Sequence, residues 1–327
     1  MKNIPFFPQY ETKLCCEDTL RITWFETAFS QSIYSYEDCV NGSNACTLIV
    51  VITAAKCHQN NIEIGGPEKP TSPKLILALA HGMLLGNSIH EDLKAQKVLS
   101  NINLTVPQAI KYSKDIVDGL KEWKSELHQM SLQNSLFKNL RRQWKKWVQR
   151  CLHKNKCYVD LYVVLICDFR SVLFVFNKAH DTVTMIDSHR HMLDKGAIIA
   201  TVDRIRLKAM CQWFENLILK CYNSFPQVYE LSYLYFREHI NITKILINLP
   251  KPTPMSGISS VKNYLQEIDS ESIVYDPETN EYYVLINIEQ NEADEPSPTI
   301  NELTNNSNDE TESDINFLAV SSITESS

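Results

Sequence analysis

A chain of 327 residues, 44% apolar and 9% aromatic, is long enough for one large domain or two ordinary ones and has the composition of a packed core. Only 8 glycines and 13 prolines exclude a fibrous or mainly low-complexity chain. The net charge of −7 conceals a split: all 32 Lys and Arg lie at or before Lys262, while 16 of the 39 Asp and Glu follow it, which marks a boundary there.

The opening Met1-Lys2-Asn3-Ile4-Pro5 lacks the uninterrupted apolar stretch of a secretion signal. The apolar run Ala45–Ala55 is far shorter than the about 20 residues needed to cross a bilayer. The expectation is therefore an intracellular protein, cytoplasmic or nuclear, without a transmembrane segment. Its 10 cysteines are then expected as reduced thiols. No paired CxxC is present, so neither structural zinc nor any other cofactor is expected. Cys167, Cys211 and Cys221 fit buried, small apolar side chains.

Residues 1–45 read as irregular apart from a short element at Leu20–Phe29. A buried helix is predicted from Ala45 to Lys56, with Gly42-Ser43-Asn44 as its preceding turn and cap. A second buried helix is predicted over Lys74–Leu85. Thr105-Val106-Pro107 opens a third, with proline in its tolerated first turn. Ser131–His153 is a long amphipathic helix. Phe137, Leu140, Trp144, Trp147 or Val148, and Cys151 line one face, and Lys138, Arg141, Arg142, Lys145, Lys146 and Arg150 line the other.

The pattern then changes to strands. Tyr158–Cys167, Val172–Phe176 and Thr182–Ser188, separated by turn residues, read as an antiparallel meander, and Gly196–Thr201 as a fourth strand. Asp203–Cys221 is helical, with Ile205, Ala209, Trp213 and Leu217 spaced by four. Late strands are expected at Thr243–Leu249, Ser272–Tyr275 and Tyr282–Ile288, the last two bent at residues 276–280. From Glu289 onward the composition is that of a disordered acidic tail. Helices first and a meandering sheet afterwards indicate an α+β fold, a helical layer against a mainly antiparallel sheet. The expected divisions are 1–250 as the main domain carrying the basic helix, 251–288 as a strand or hairpin extension, and 289–327 as the tail.

Three features carry chemistry. Cys46 opens an apolar helix, where unpaired N–H groups and the helix dipole stabilise a thiolate. Asp187 and His189 lie two apart on a predicted strand, so both face one side while Ser188 faces away, and a carboxylate beside an imidazole fixes its tautomer. His191 competes for the role of base, but lies past the strand without a partner at the right offset. Gln31, upstream in a polar stretch, is a neutral amide of the kind that donates to an oxyanion.

Taken in order, Gln31, then Gly42-Ser43-Asn44-Ala45-Cys46-Thr47-Leu48, then Met185-Ile186-Asp187-Ser188-His189 resemble the deubiquitinating protease domain of herpesvirus large tegument proteins. In that family the Asp and His share one strand, a single residue apart. Gly196-Ala197-Ile198-Ile199 also resembles the stretch after the family's histidine, and the likeness spans roughly residues 20–225. The resemblance implies a papain-like cysteine protease with Cys46 as nucleophile, His189 as general base, Asp187 as its orienter and Gln31 as oxyanion donor. It further implies ubiquitin or a ubiquitin-like protein, and its conjugates, as partner. Two other classes stay open: a papain-like peptidase or acyltransferase with a different substrate, and a non-catalytic interaction module of the same fold. The basic stretch 138–156 is a candidate surface for nucleic acid or an acidic partner, against the plainer reading of a solvated helix face. Val284-Leu285-Ile286-Asn287 resembles a SUMO-interacting motif, but the plainer reading is the final strand of a hairpin.

Overall fold

A computed structural model describes residues 4–35, 43–99, 101–153, 160–236, 271–276 and 281–286, the last two by backbone alone. The expected strand at Thr243–Leu249 and the acidic tail lie outside these residues. The chain divides into Met1–Ile286 and Asn287–Ser327.

Eight strands form one antiparallel sheet: β1 (Tyr10–Cys15), β2 (Leu20–Phe25), β3 (Leu120–His128), β4 (Leu161–Cys167), β5 (Arg170–Asn177), β6 (Thr182–Asp187), β7 (Ile198–Asp203) and β8 (Tyr229–Phe236). Their spatial order is β1-β2-β7-β6-β5-β4-β8-β3. The expected meander is the middle of this sheet, β4 to β7, each strand paired with the next. Two further strands, β9 (Glu271–Asp276) and β10 (Glu281–Ile286), pair with each other as the late hairpin. The architecture is mixed helix and antiparallel sheet.

Helices cover both faces of the sheet rather than one. The central strands required this, because they are buried along nearly their whole length: Leu161–Leu165 and Ser171–Asn177 are buried without interruption. Strands apolar on both sides need a layer on each. Alternation divides their side chains between two cores. Tyr162, Val164, Leu173, Val175, Ile186 and Ile199 join α1 (Cys46–Gln59), α2 (Pro73–Ala95) and α3 (Val106–Tyr112). Val163, Leu165, Phe174, Met185 and Ala200 join α4 (Leu132–His153) and α5 (Leu207–Tyr222).

The innermost helix, α1, is buried on every side over Cys46–Ala55. It can lie so deep because α2 presents glycine to it. A Cβ at Gly82 would stand 2.2 Å from Thr53 Oγ1, and one at Gly86 would stand 3.0 Å from the Ile49 amide nitrogen. Thr105 caps α3 through a capping box with Gln108.

On the opposite face, Leu132, Leu136, Leu140, Trp144, Trp147 and Cys151 form the buried side of α4, and Trp144 stacks on Phe176 at 5.2 Å between ring centres. Phe137 and Val148, expected in this stripe, are only partly buried. The six basic residues of α4 face solvent. The stripe expected on α5 is displaced. Of the expected series Leu217 alone is buried; Ile205 is 75% exposed, in a 3₁₀ turn over Arg204–Arg206, and the helix buries Leu207, Met210, Cys211, Phe214 and Ile218 beside Leu217. A spacing of four drifts around a helix of 3.6 residues per turn, so a strict four-residue series leaves the core-facing side. Among the described residues no helix is long and apolar enough to cross a membrane.

Candidate active site

The site lies where the first turn of α1 meets the end of β6 and the segment after it. Cys46 is the first residue of α1, where helix geometry leaves the amide N–H groups without intrahelical acceptors. Neighbouring hydroxyls fix this turn. Thr47 donates to the Leu104 carbonyl at 2.9 Å and its Oγ1 lies 2.9 Å from Ser171 Oγ on β5. The Cys46 thiol is 4% exposed, and its Sγ lies 3.7 Å from the carbonyl oxygen of Phe169 in the β4–β5 turn.

Strand β6 ends at Asp187, one residue short of the expected span, so His189 stands just beyond the strand rather than on it. The Asp–His pair forms nonetheless. His189 Nδ1 lies 2.6 Å from Asp187 Oδ1, and the His189 backbone N–H donates to the same oxygen at 2.9 Å. With Nδ1 so engaged, Nε2 remains for a further partner, and His189 and Cys46 lie close enough for each to favour the other's charged form.

Titration follows from this packing. Burial alone would push all three groups towards their neutral forms. For Asp187 the imidazoles of His189 and His191 overcome it and hold the carboxyl well below the usual carboxylate range. For His189 burial is likewise outweighed, by Asp187 and then by Cys46, and its pKa rises to about 10. The Cys46 thiol, pushed up by burial, is brought below the ordinary thiol value by His189 and by hydrogen bonds involving Ser171. Three other buried thiols shift the opposite way. Burial pushes Cys57 and Cys167 up to about 12, and Cys211 well above the ordinary value. Of Cys46, Cys57, Cys167 and Cys211, Cys46 is displaced towards thiolate and the other three away from it.

Gln31 reaches this cluster through polar partners. Its backbone N–H donates to the Ser188 carbonyl at 2.8 Å, and its side-chain Oε1 accepts from Ser188 Oγ at 2.7 Å. Its Nε2 donates to the carbonyl of Ser43 at 2.9 Å. Ser188 thus does turn away from His189, but towards Gln31, and the Ser43 carbonyl, which only accepts, fixes which end of the amide is nitrogen. The expected cap of α1 also has a different use. The N-cap is Ala45, without a side-chain cap bond. Ser43 Oγ instead accepts from the Ala45 N–H at 3.1 Å and donates to Asn87 Oδ1 at 2.5 Å, while Asn87 Nδ2 donates to the Gln31 carbonyl at 2.8 Å.

His191 does have a partner, contrary to expectation. Its Nε2 lies 3.1 Å from Asp187 Oδ2, the oxygen that His189 does not use. The backbone supplies the reach that strand alternation did not suggest: His191 and Lys195 close a bridge at 2.8 and 3.1 Å, curling the segment back towards β6. Gly196 follows, its N–H donating to the Phe25 carbonyl at 2.8 Å. A Cβ there would stand 2.1 Å from the Glu26 carbonyl oxygen and 2.5 Å from that of Phe29, so only glycine admits this approach.

Sequence reasoning missed Ser188, Ser43, Asn87, Ser171 and the role of His191. The first two lay inside motifs already singled out; Asn87 and Ser171 carried no local signal, since each acts across the fold.

No protein-family model matches the chain, and no characterised protein matches it by sequence. Among solved structures it is similar to the ubiquitin-specific protease encoded by the murine cytomegalovirus tegument protein M48, solved with a ubiquitin-based suicide substrate. That likeness covers 66% of this chain and 88% of the other, at 12% identity and a TM-score of 0.40. It is too distant to carry an argument by itself.

Proposed function

We propose that the chain is a papain-like cysteine hydrolase that cleaves isopeptide or peptide bonds after the C-terminal glycine of ubiquitin or a ubiquitin-like protein. The observation that carries the hydrolase reading is that a buried thiol at a helix start is drawn towards thiolate by an imidazole whose other nitrogen is held by a buried carboxylate. The substrate class comes from the sequence resemblance around Gln31, Cys46 and Asp187-Ser188-His189.

In this reading the Cys46 proton resides on His189 and the thiolate attacks the carbonyl carbon of the scissile bond. The oxyanion that forms is met by the Cys46 N–H and by the second N–H of the Gln31 amide, the first being spent on Ser43. His189 then protonates the departing amine, leaving a thioester on Cys46. Water, deprotonated by His189, attacks that thioester and frees the carboxylate and the thiol. An isopeptide bond needs no catalytic group that a peptide bond does not, so substrate choice rests on the surface around the site.

A ubiquitin bearing a C-terminal electrophile tests the proposal. It should modify the protein at Cys46, with the expected mass increase located by peptide mapping. Modification of Cys46 by a generic thiol epoxide but not by the ubiquitin probe would keep the hydrolase and remove ubiquitin. Failure of both would overturn the reading.

A further inference from the structure

Asp187 is 2% exposed, and both of its oxygens are engaged by imidazoles. His189 uses Oδ1 and His191 uses Oδ2, so the carboxylate is a bridge between two rings. The rings differ in setting. His189 is 12% exposed and stabilises the Cys46 thiolate, whereas His191 is 0% exposed. His191 Nδ1 lies 3.0 Å from the Gly196 carbonyl oxygen. A carbonyl and a carboxylate only accept, so each ring nitrogen of His191 faces an acceptor. The ring is held further by aromatic contacts, edge-on to Trp24 at 6.0 Å and tilted against Tyr222 at 5.7 Å. Tyr222 is itself covered by the Arg170 guanidinium at 3.9 Å and donates to the Arg190 carbonyl at 2.9 Å. The ionisable groups facing His191 are therefore Asp187 from β6 and Tyr222 from α5, with Arg170 from β5 behind the tyrosine.

A carboxylate bonded through one oxygen alone is free to rotate about its Cβ–Cγ bond and swing its other oxygen towards the histidine. Bonded through both, it presents one oxygen in one plane. We propose that His191 is a positioning residue: it anchors Asp187 Oδ2, so that Oδ1 holds His189 in the orientation that faces Cys46. The inference rests on the cysteine-hydrolase reading but not on the identity of the substrate. The sequence places the two histidines as His189-Arg190-His191, and the turn closed by the His191–Lys195 bridge brings the second ring under the first one's carboxylate.

The test is the pH dependence of iodoacetamide alkylation at Cys46, followed by mass spectrometry on that peptide. The protein is compared with His191→Leu, which removes the donor, and His191→Gln, which supplies a neutral donor in place of the ring. His191→Leu should raise the apparent thiol pKa by about one unit, which corresponds to about a tenfold loss of thiolate below that pKa. His191→Gln should stay within about twofold of the parent, because it restores the bond to Asp187. A purely structural role would lower the melting temperature of both variants without moving the alkylation profile of the folded protein. Unchanged Cys46 reactivity in folded His191→Leu would overturn the proposal, as would equal losses in Leu and Gln. If His191→Leu does not fold, His191→Gln and His191→Asn decide, since the shorter Asn cannot span the same distance: Gln alone should retain the parent profile, and an Asn profile equal to it overturns the idea. If the parent protein itself shows no lowered Cys46 pKa, the hydrolase reading fails before any variant is compared.

Discussion

Cys46→Ala is expected to abolish turnover, by about 10⁵-fold or more, as removing the nucleophile of a covalent mechanism does. The fold should survive. The change removes one buried sulfur at the first position of α1, where the backbone is fixed by Thr47 and by the Ile49 N–H bonding back to the Ala45 carbonyl. Such a truncation costs on the order of 1 kcal/mol. In a domain of this size that is a melting-temperature drop of about 2–4 °C. Circular dichroism melts beside a single-turnover assay check both halves. Measurable turnover by a folded Cys46→Ala protein would refute the assignment of the nucleophile. Loss of folding would show instead that the sulfur is chiefly packing, as for Cys57 and Cys211, which are also buried.

The second large effect is expected at Asp187. Asp187→Asn should lower the rate constant by about 10⁴-fold, because an amide in place of the carboxylate favours the wrong tautomer of the histidine. It should also destabilise the protein by about 3–5 kcal/mol at neutral pH, since the buried His189 imidazolium loses its counter-charge and His191 its carboxylate partner. The pH dependence of that loss has a definite sign. Asp187 has its pKa depressed on folding, so its contribution is present above the ordinary carboxylate value, near 4, and disappears as pH falls below it. His189 has its pKa raised, so its contribution is complete below about 6.5 and is lost as pH rises towards about 10. Denaturant titrations of parent and variant should therefore differ most between about pH 4 and 6.5 and converge on either side. A stability difference independent of pH would mean that Asp187 contributes by shape rather than charge.

How much of this was legible in the sequence follows the local chemistry of each element. The β4–β7 meander announced itself because its strands are fully buried and therefore rich in Val, Ile and Phe. The two edge strands did not. β1, Tyr-Glu-Thr-Lys-Leu-Cys, and β3, with Lys121, Glu122, Lys124 and Glu126, pair on one side only. Charge on such edges discourages pairing with other molecules, and the same charge hides them from a search for apolar alternation. β8 is different: Tyr229–Phe236 is rich in Tyr, Leu and Phe, so its signal was present although it lay outside the expected elements. The second helical layer was likewise implied by strands apolar on both faces.

In the candidate site, Cys46 and the Asp187–His189 offset could be read locally, since a helix start and a two-residue spacing are local facts. The polar frame could not. Ser188 to Gln31 spans 157 positions and Thr47 to Ser171 spans 124, and a serine in a turn or a strand carries no sign of a partner so far along the chain. His191 was misjudged because a residue past the strand end was taken to have no partner, whereas the turn after β6 returns its ring to Asp187.

The account depends on a sulfur buried at the start of α1 being ionised by the imidazole beside it. The rate of iodoacetamide alkylation at Cys46, followed from pH 4 to 10 on the full chain and resolved by peptide, tests that directly. The predicted profile rises at a pH below the ordinary thiol range of about 8.5 and moves upward when His189 is replaced by Ala. A Cys46 that reacts only above that range, and no differently without His189, would contradict the account.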